Sequence, residues 1–341
     1  MSAEITFILP TMNRRQYICR AVESCLVCRS ERVTPHVLVI DGMSDDGSYE
    51  LLQETYGNNP QVSILRHDRV GFQRTAYFGV SQVKTEYVTF MYDDDLVSPF
   101  FYQMFEAMLD QGKSFIMGYG YIYDVDRIYP FKPVTNIDLF SVYDAVLAYF
   151  GYPGKLHYHT VPFSPICCIV KTEHLQKWVH FSQEFAGKSP IRHYYMIDRN
   201  IGPDIIIYLS GIMLEPDTAA IAPNIVGQFS EHNESMSVGY GDLHLQIGYW
   251  LGKIWAFEET LTRGNRSVAA QCAGHLIRSG LRILRQIPSS QDREWVWPFC
   301  KEIIGIITLA VKNGFVLAML TNLIISSFNK YTSGPLVPLP E

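Results

Sequence analysis

Three adjacent carboxylates, Asp93, Asp94 and Asp95, stand directly after the apolar segment 87–91, which has the length and composition of a buried strand. Burying like charges costs several kcal/mol unless a cation or strong hydrogen-bond donors compensate. Neighbouring carboxylates can hold a hard cation such as Mg²⁺ or Mn²⁺, which keeps further coordination sites for phosphate oxygens. The alternative is a solvated turn. The position after a strand favours a site for Mg²⁺ or Mn²⁺ that offsets charge on a departing diphosphate.

Polar residues after other predicted strands are candidates for nucleotide binding. Asp41 follows the apolar run HVLVI, and its carboxylate can accept hydrogen bonds from the N–H groups of a nucleobase. Thr11 and Asn13 follow the first strand in the same way. For these three residues the alternative is a turn or a helix cap. Arg74, near the start of a predicted helix, is a candidate nucleotide contact, with an ordinary surface arginine as the alternative.

The first 120 residues contain the elements that must position these side chains. Short apolar runs (EITFILP, HVLVID, VSILRH and YVTFMYD) alternate with segments of helical spacing. This alternation predicts an α/β fold with a Rossmann-like, mostly parallel sheet flanked by helices. Ligands bind at the carboxyl ends of the strands in such sheets. We therefore expect the clusters PTMNR, DGMSDDGS and YDDD to converge on one crevice.

The pattern divides the chain into regions. Residues 1–237 are predicted to form the main domain, with a nucleotide-binding half at 1–120 and an acceptor or catalytic half at 121–237. Residues 238–330 form a helical C-terminal region, and 331–341 a Pro-rich tail.

The apolar segment at the end of the helical region raises the question of a membrane. Residues 302–328 are strongly apolar, but Lys312 and Asn313 divide them into halves shorter than the roughly 18 apolar residues of a spanning helix. We expect these helices to mediate homo-oligomer formation or peripheral membrane association.

Composition excludes some classes of protein. The 341 residues are 48% hydrophobic and 18% charged, which argues against disorder. The net charge of −6 gives no reason to expect nucleic acid as a partner. Among the seven cysteines only Cys25 and Cys28 have a suggestive spacing, and without a second pair we interpret them as buried thiols. The first residues lack the pattern of a signal peptide, so a cytoplasmic location is expected, with the inner membrane face as a candidate site.

Four segments together resemble family 2 glycosyltransferases with the GT-A fold. They are ILPTMNRRQYICRAVESCL, VLVIDGMSDDGSYELL, GFQRTAYFGVSQVKTEYVTFMYDDDLVSP and QFSEHNESMS. Their order and spacing over residues 5 to about 237 carry the resemblance. It implies transfer of a sugar from a nucleotide-diphosphate sugar, normally metal-dependent and with inversion at the anomeric carbon.

The resemblance also implies roles for single residues. Thr11 and Asp41 match positions that hold the base and ribose, and Arg74 matches an arginine near the nucleotide. The acidic block departs from the commonest form, Asp-x-Asp-Asp followed by three residues and a proline. Counted back from Pro99, Asp94 and Asp95 match the last two acids, so we rank them above Asp93 as metal ligands.

The same resemblance indicates a general base and a histidine. The family's base lies about a hundred residues beyond the acidic block, where Asp204 stands at a predicted helix start; the competing carboxylate is Asp198. His232 matches the histidine of an R-x-H-x-x-S-x-S segment, with Ser230 in place of the arginine. His232 is therefore a candidate ligand of the metal or the diphosphate.

These observations predict an inverting glycosyltransferase that acts on a hydroxyl of a glycan or lipid-linked glycan. His157 and His159 are candidates for lining the acceptor site. One alternative is a nucleotide-sugar nucleotidyltransferase, but its Gly-rich basic loop has no counterpart in LPTMNRRQY. The other alternative is a non-catalytic scaffold that kept the fold.

Overall fold

The structure is a computed structural model that describes residues 2–150, 165–232, 236–287 and 293–316. His157 and His159 lie outside these ranges, as does the predicted tail. The chain forms two compact units, Met1–Gly252 and Lys253–Glu341. The division falls inside a long helix whose start lies close to the domain boundary predicted at residue 237.

Strands and helices alternate from the start of the first unit through its fourth strand. The elements are β1 (Ala3–Thr11), α1 (Ile18–Leu26), β2 (Val33–Asp41), α2 (Ser48–Tyr56), β3 (Val62–Arg66), α3 (Phe72–Gln82), β4 (Tyr87–Phe90), β5 (Leu96–Val97), α4 (Phe101–Asp110) and β6 (Phe115–Asp124). The predicted α/β fold is thereby confirmed, and each strand and helix predicted in this region is present. The short strand β5 and helix α4, which follow the three aspartates, were not predicted.

The remaining elements of the first unit are less regular. They are β7 (Asp138–Ser141), α5 (Val142–Tyr149), β8 (Cys168–Lys171), α6 (Thr172–Gly187), α7 (Pro190–His193), a π-helical turn (Tyr194–Asp198), α8 (Pro203–Leu214), β9 (Thr218–Glu231) and the first part of α9 (Met236–Thr262). β9 was not predicted as a strand, although it ends in the QFSE part of the last matching segment.

A single sheet joins these strands in the order β3-β2-β1-β4-β8-β6-β9-β5, with β7 paired to β9. β3, β2, β1 and β4 are parallel, and β9 is parallel to β6. β8 is antiparallel to both β4 and β6, and therefore joins the two parallel parts. Because parallel neighbours end on the same side, Thr11 and the residues after β4 emerge at one edge of the sheet.

Apolar side chains on both faces explain why β1 lies in the middle of the sheet. Ile5, Phe7, Ile8 and Leu9 are all at most 1% exposed, as expected for a strand covered by helices on both sides. On one face Phe7 packs against Phe101, with ring centroids 5.5 Å apart. α3 packs against β1 as well, which fixes the start of α3 beside the strand ends.

The second unit is helical in the parts that the structure describes. It contains the end of α9, α10 (Arg266–Leu284), a 3₁₀ turn (Arg293–Trp295) and α11 (Val296–Lys312). On α11 the exposed side chains Trp297, Ile304 and Val311 recur every seven residues, so one helix face is apolar. Within the described ranges, no helix has both the length and the apolar content required to cross a membrane.

Candidate functional site

A cavity of about 730 Å³ opens at the carboxyl ends of β1 and β4. Its lining includes seven of the predicted site residues or their neighbours: Thr11, Asn13, Arg14, Asp93, Asp94, Asp95 and Asp204. Side chains from the end of β9, Phe229, Ser230 and Glu231, close one side. PTMNR and YDDD therefore converge on one crevice as expected, whereas DGMSDDGS contributes only Gly42 to the lining.

The three aspartates contact β9, His232 directly after it, and the loop after β1. Asp95 is 6% exposed, and its Oδ1 accepts a hydrogen bond of 2.8 Å from the backbone N–H of Ser230. Asp94 Oδ2 lies 2.8 Å from Nε2 of His232. Arg14 approaches Asp93 from the loop after β1, with 3.8 Å between Nε and Oδ1. His232 thus lies beside the acidic cluster, and its role as a ligand of the metal or the diphosphate stays a prediction.

Burial and mutual repulsion disfavour the ionised form of two of these aspartates. Burial, with the charge of Asp94 adding to it, raises the pKa of Asp93 to about 7. Burial and the charge of Asp94 likewise raise the pKa of Asp95 well above its usual range, against the hydrogen bond from Ser230. The cluster therefore stores an unfavourable electrostatic free energy that a bound cation would relieve.

The donor set fits a cation that is shared with a substrate rather than caged by protein. Among the described residues no group of three or more His, Cys, Asp and Glu side chains has metal-site geometry. Mg²⁺ is usually held by one or two carboxylates together with phosphate oxygens and water. Asp94 and Asp95 supply two such carboxylates on the cavity wall, so the residues present fit Mg²⁺ or Mn²⁺ bound together with a diphosphate.

Arg20 on α1, a residue that the sequence did not single out, ties the acidic loop to the rest of the site. Its Nη2 donates to the carbonyl of Asp94 at 2.9 Å and to Oγ of Ser230 at 3.2 Å, and its Nη1 donates to the carbonyl of Val125. Ser230 occupies the position where the family segment has arginine. The guanidinium of Arg20 therefore lies beside Ser230, the position in β9 where the family segment has its own arginine.

We expect Arg20→Met to loosen this loop. Loss of the charged hydrogen bonds should lower the free energy of unfolding by about 1–3 kcal/mol and weaken nucleotide binding by about tenfold. Urea unfolding and calorimetric titration measure the two effects. Arg32→Met is the matched control, because Arg32 is 52% exposed and pairs with Asp110 at the surface. Equal effects of the two substitutions would contradict a positioning role for Arg20.

The loop after β1 carries a buried hydroxyl and a strained asparagine. Thr11 Oγ1 is buried near Asp93, whose pKa it lowers, yet it makes no hydrogen bond of normal geometry with the described residues. Asn13 has a φ of 57°, a conformation that asparagine tolerates better than most residues. Two hydrogen bonds with Asp45, of 2.8 and 2.9 Å, hold its side chain. Asn13 thus shapes the loop through Asp45, whereas a nucleotide contact by Thr11 stays a prediction.

Asp41 and Arg74 lie outside the cavity lining. Asp41 is fully buried and accepts hydrogen bonds from the N–H of Ser44 and, at 3.0 Å, from Nε of Arg66. Arg74 is exposed on α3, whereas Arg69, in the loop between β3 and α3, lines the cavity. Nucleotide recognition by Asp41 and Arg74 stays a prediction.

Asp204 reaches the cavity from the first turn of α8. Gly202 precedes it with a φ of 93°, and a Cβ there would lie 2.2 Å from the carbonyl oxygen of Gly248 on α9. Glycine is therefore required for this close approach, and Pro203 begins the helix. Burial raises the pKa of Asp204 to about 7. The competing Asp198 is half exposed and lies 3.3 Å from Nδ1 of His193.

Comparison with known proteins identifies the family. The model of Glycosyl transferase family 2 matches residues 6–178, about half of the chain. The chain belongs to this family. Enzymes of this family are glycosyltransferases.

Individual relatives of this family 2 protein match regions of different lengths. Chondroitin synthase and hyaluronan synthase of Pasteurella multocida are each 30% identical over 95 residues, 28% of this chain. The match spans about 10% of the length of each synthase. Glycosyltransferase GlyG of Streptococcus pneumoniae is 25% identical over 208 residues, which cover 59% of this chain and 68% of GlyG.

Solved structures of TarS from S. aureus also align with this family 2 chain. The complex of TarS residues 1–349 with UDP has a TM-score of 0.49 at 13% identity and covers 99% of this chain and 95% of that one. The complex of the same fragment with UDP-GlcNAc has a TM-score of 0.47 at 13% identity, with coverage of 87% and 89%.

Several residues that line the cavity were not predicted from the sequence. Arg69 could have been found, since it follows β3 in a loop at the carboxyl end of a strand. Asn200, Leu245 and Tyr249 also line the cavity. No local signal marks them, because only the packing of α8 and α9 brings them beside the sheet.

Proposed function

We propose that this protein is an inverting glycosyltransferase that moves a sugar from a nucleotide-diphosphate sugar to a hydroxyl of a glycan or glycolipid. One observation carries the proposal. A single cavity has carboxylates at two places on its wall: the cluster Asp93–Asp95 after β4, and the separate Asp204 at the start of α8. Single displacement needs this pairing, with leaving-group stabilisation in one place and a base in another.

Asp204 is the proposed general base. A carboxylate that remains ionised at pH 7 to 8 but has a raised pKa removes a proton more effectively than one of ordinary pKa. In the proposed step the acceptor oxygen attacks the anomeric carbon while its proton passes to Asp204. The bond between the sugar and the diphosphate breaks on the opposite face, so the configuration inverts without an enzyme nucleophile.

The opposite side of the cavity is proposed to hold the diphosphate and its cation. Asp94 and Asp95, with His232 beside them, are the residues that would hold Mg²⁺ or Mn²⁺. When bound, the cation supplies positive charge that stabilises the departing diphosphate. Arg14 and Thr11 lie on the same wall and are proposed to contact the nucleotide. Asn13 shapes their loop through Asp45.

The acceptor is proposed to enter past apolar side chains. Ile122, Phe229, Leu245 and Tyr249 line the cavity, and Ile122 is 64% exposed. Apolar and aromatic surfaces of this kind suit the less polar faces of sugar rings. We therefore propose a growing polysaccharide or a lipid-linked glycan as acceptor, in the cytoplasm or at the inner membrane face. The apolar face of α11 is the proposed surface for oligomer or membrane contact.

Two other functions make different predictions. A nucleotidyltransferase would form a nucleotide-sugar from a sugar phosphate, and a scaffold would turn over no donor. Buried ionisable groups at both proposed positions are costly to keep and favour catalysis over a scaffold role. Release of a nucleoside diphosphate from a nucleotide-sugar distinguishes the three, since only a glycosyltransferase is expected to show it with an acceptor present.

A thermal-shift panel tests the donor and the metal together. UDP, GDP, dTDP and CMP are each added with Mn²⁺ or with EDTA. Binding at a hundredfold excess over Kd stabilises the folded state by about 2.7 kcal/mol and raises the Tm. We expect a Mn²⁺-dependent rise with one of the nucleoside diphosphates. Equal Tm values in all mixtures would contradict a preformed donor site.

A further inference from the structure

A second, smaller cavity lies directly behind Asp204. It has a volume of about 40 Å³ and is bounded by α3, the end of β4, α6 and the start of α8. Asp204, Asn200, Phe72 and Tyr92 line both this inner cavity and the larger one. Asp204 therefore forms part of the wall between the two spaces.

Gln73, in the first turn of α3, contributes a buried amide donor to the inner cavity. Its side chain is 2% exposed and lies near the hydroxyl of Tyr77, but its Nε2 makes no hydrogen bond of normal geometry with the described residues. A further donor on the wall, Nε1 of Trp178, is already bonded to the carbonyl of Pro203 at 3.1 Å. Buried amide groups in folded proteins are nearly always paired with protein or with ordered water.

The size and chemistry of the inner cavity suit water. A site needs about 10–15 Å³ of this volume for one molecule and two to four polar partners. Gln73, Asn200 and Asp204 supply such partners, while Ala76, Phe90 and Ile207 contribute only apolar surface.

We propose that the inner cavity holds a water molecule that accepts a hydrogen bond from Nε2 of Gln73 and donates one to the carboxylate of Asp204. Gln73 is then a positioning residue, because it orients the water without touching the substrate. A donor to the carboxylate stabilises its ionised form, which is the form that removes a proton. The effect on catalysis rests on the proposed role of Asp204 as the base, whereas the presence of the water does not.

Four tyrosines interact electrostatically with Asp204, and the charged side chains of Arg14, Arg69, Asp93, Asp94, Asp95 and Glu231 line the larger cavity with it. Tyr92 after β4, Tyr149 on α5, Tyr208 on α8 and Tyr249 on α9 each have a pKa raised above the usual value, with Asp204 among the causes. They stay neutral between pH 5 and 9, so they do not titrate in the range where Asp204 does. Burial sets the pKa of Asp204 near 7. Loss of the hydrogen bond that the water donates to Asp204 should raise the pKa of this carboxyl further.

The water itself is tested first in the wild-type protein. A crystal structure at high resolution should show a water within hydrogen-bond distance of both Gln73 Nε2 and the Asp204 carboxylate. An empty or apolar-filled cavity would overturn the proposal, whatever the activity of the enzyme. This measurement needs no variant and no substrate.

Gln73→Met tests the consequence for Asp204. Methionine has a similar length and no donor, so the carboxyl pKa of Asp204, followed by ¹³C NMR and assigned with Asp204→Asn, should rise by about one unit. The acid limb of the kcat–pH profile should move to higher pH by the same amount. This shift lowers kcat about tenfold at pH 6 and leaves the KM for the donor unchanged. Gln82→Met, at an exposed position of the same helix, is the control.

The outcomes separate the two proposals. An unchanged carboxyl pKa in Gln73→Met would overturn the positioning role. A raised carboxyl pKa together with an unchanged kcat–pH profile would support the water but refute Asp204 as the base. If Gln73→Met does not fold, the wild-type structure still decides whether the water exists.

Discussion

Asp204→Asn is expected to lower kcat by about 10²–10⁴-fold and to leave the affinity for the donor nucleotide unchanged. Asparagine has nearly the shape of aspartate but cannot accept the proton of the acceptor hydroxyl. Single-turnover assays with saturating donor and acceptor measure the chemical step, and calorimetry with the nucleoside diphosphate measures binding.

Stability separates loss of the base from loss of the fold. The pKa of Asp204 is about 7 in the folded protein and close to 3.8 in the unfolded chain. Because the folded-state pKa is the higher one, ionisation of Asp204 lowers stability progressively as pH rises from about 4 to about 7. At pH 8 the penalty is on the order of 4 kcal/mol. Asp204→Asn removes it, so this variant should unfold at a higher temperature than wild type at pH 8 and at a similar temperature at pH 4.

The wild-type pH profile follows from the same group. The base must be ionised, so kcat should rise with pH and level off above about 7. Asp198→Asn is the matched control, since Asp198 lies outside the cavity and pairs with His193. If Asp204→Asn keeps wild-type kcat while Asp198→Asn loses it, the base has been assigned to the wrong carboxylate.

The parts of the fold that could be predicted are those with a local signal. The alternation of apolar runs and helical spacing through residue 120 predicted β1 to β4 and α1 to α3, because a buried parallel strand must be apolar along its whole length. β9 was missed because Pro223, Asn224 and Gly227 interrupt its apolar pattern. Its pairing with β6, which has register shifts near Tyr119, tolerates these residues.

The candidate site divides in the same way. Thr11 and Asp93–Asp95 could be located from the rule that ligands bind at strand ends, and they do line one cavity. The same rule indicated Asp41 as a candidate because it lies at a strand end. It could not show that Arg66 and Ser44 would donate hydrogen bonds to its carboxylate. Arg20 and Gln73 act from helix faces that pack against the sheet. A helical pattern shows which residues are buried, but not which polar group they will meet.

The second large effect is expected at Asp95. Its carboxylate has two roles, a hydrogen bond and the proposed binding of a cation, and the two require different properties of the side chain. Its Oδ1 accepts from the N–H of Ser230, and an amide oxygen could do this equally well. Holding a divalent cation requires negative charge. Asp95→Asn therefore preserves the link between the acidic loop and β9 while it removes the charge, which makes it more informative than Asp95→Ala.

We expect Asp95→Asn to abolish the Mn²⁺-dependent part of nucleotide affinity and to lower kcat at least about a hundredfold. Burial and the charge of Asp94 already raise the pKa of Asp95. Loss of its charge should therefore leave the metal-free protein as stable as wild type, or more so. Calorimetry with and without Mn²⁺ measures the nucleotide affinity, and thermal unfolding in EDTA measures the stability. The surface variant Asp110→Asn is the control. Wild-type affinity that is equal in Mn²⁺ and EDTA would refute the metal site, whereas lower stability of Asp95→Asn in EDTA would assign Asp95 to the fold instead.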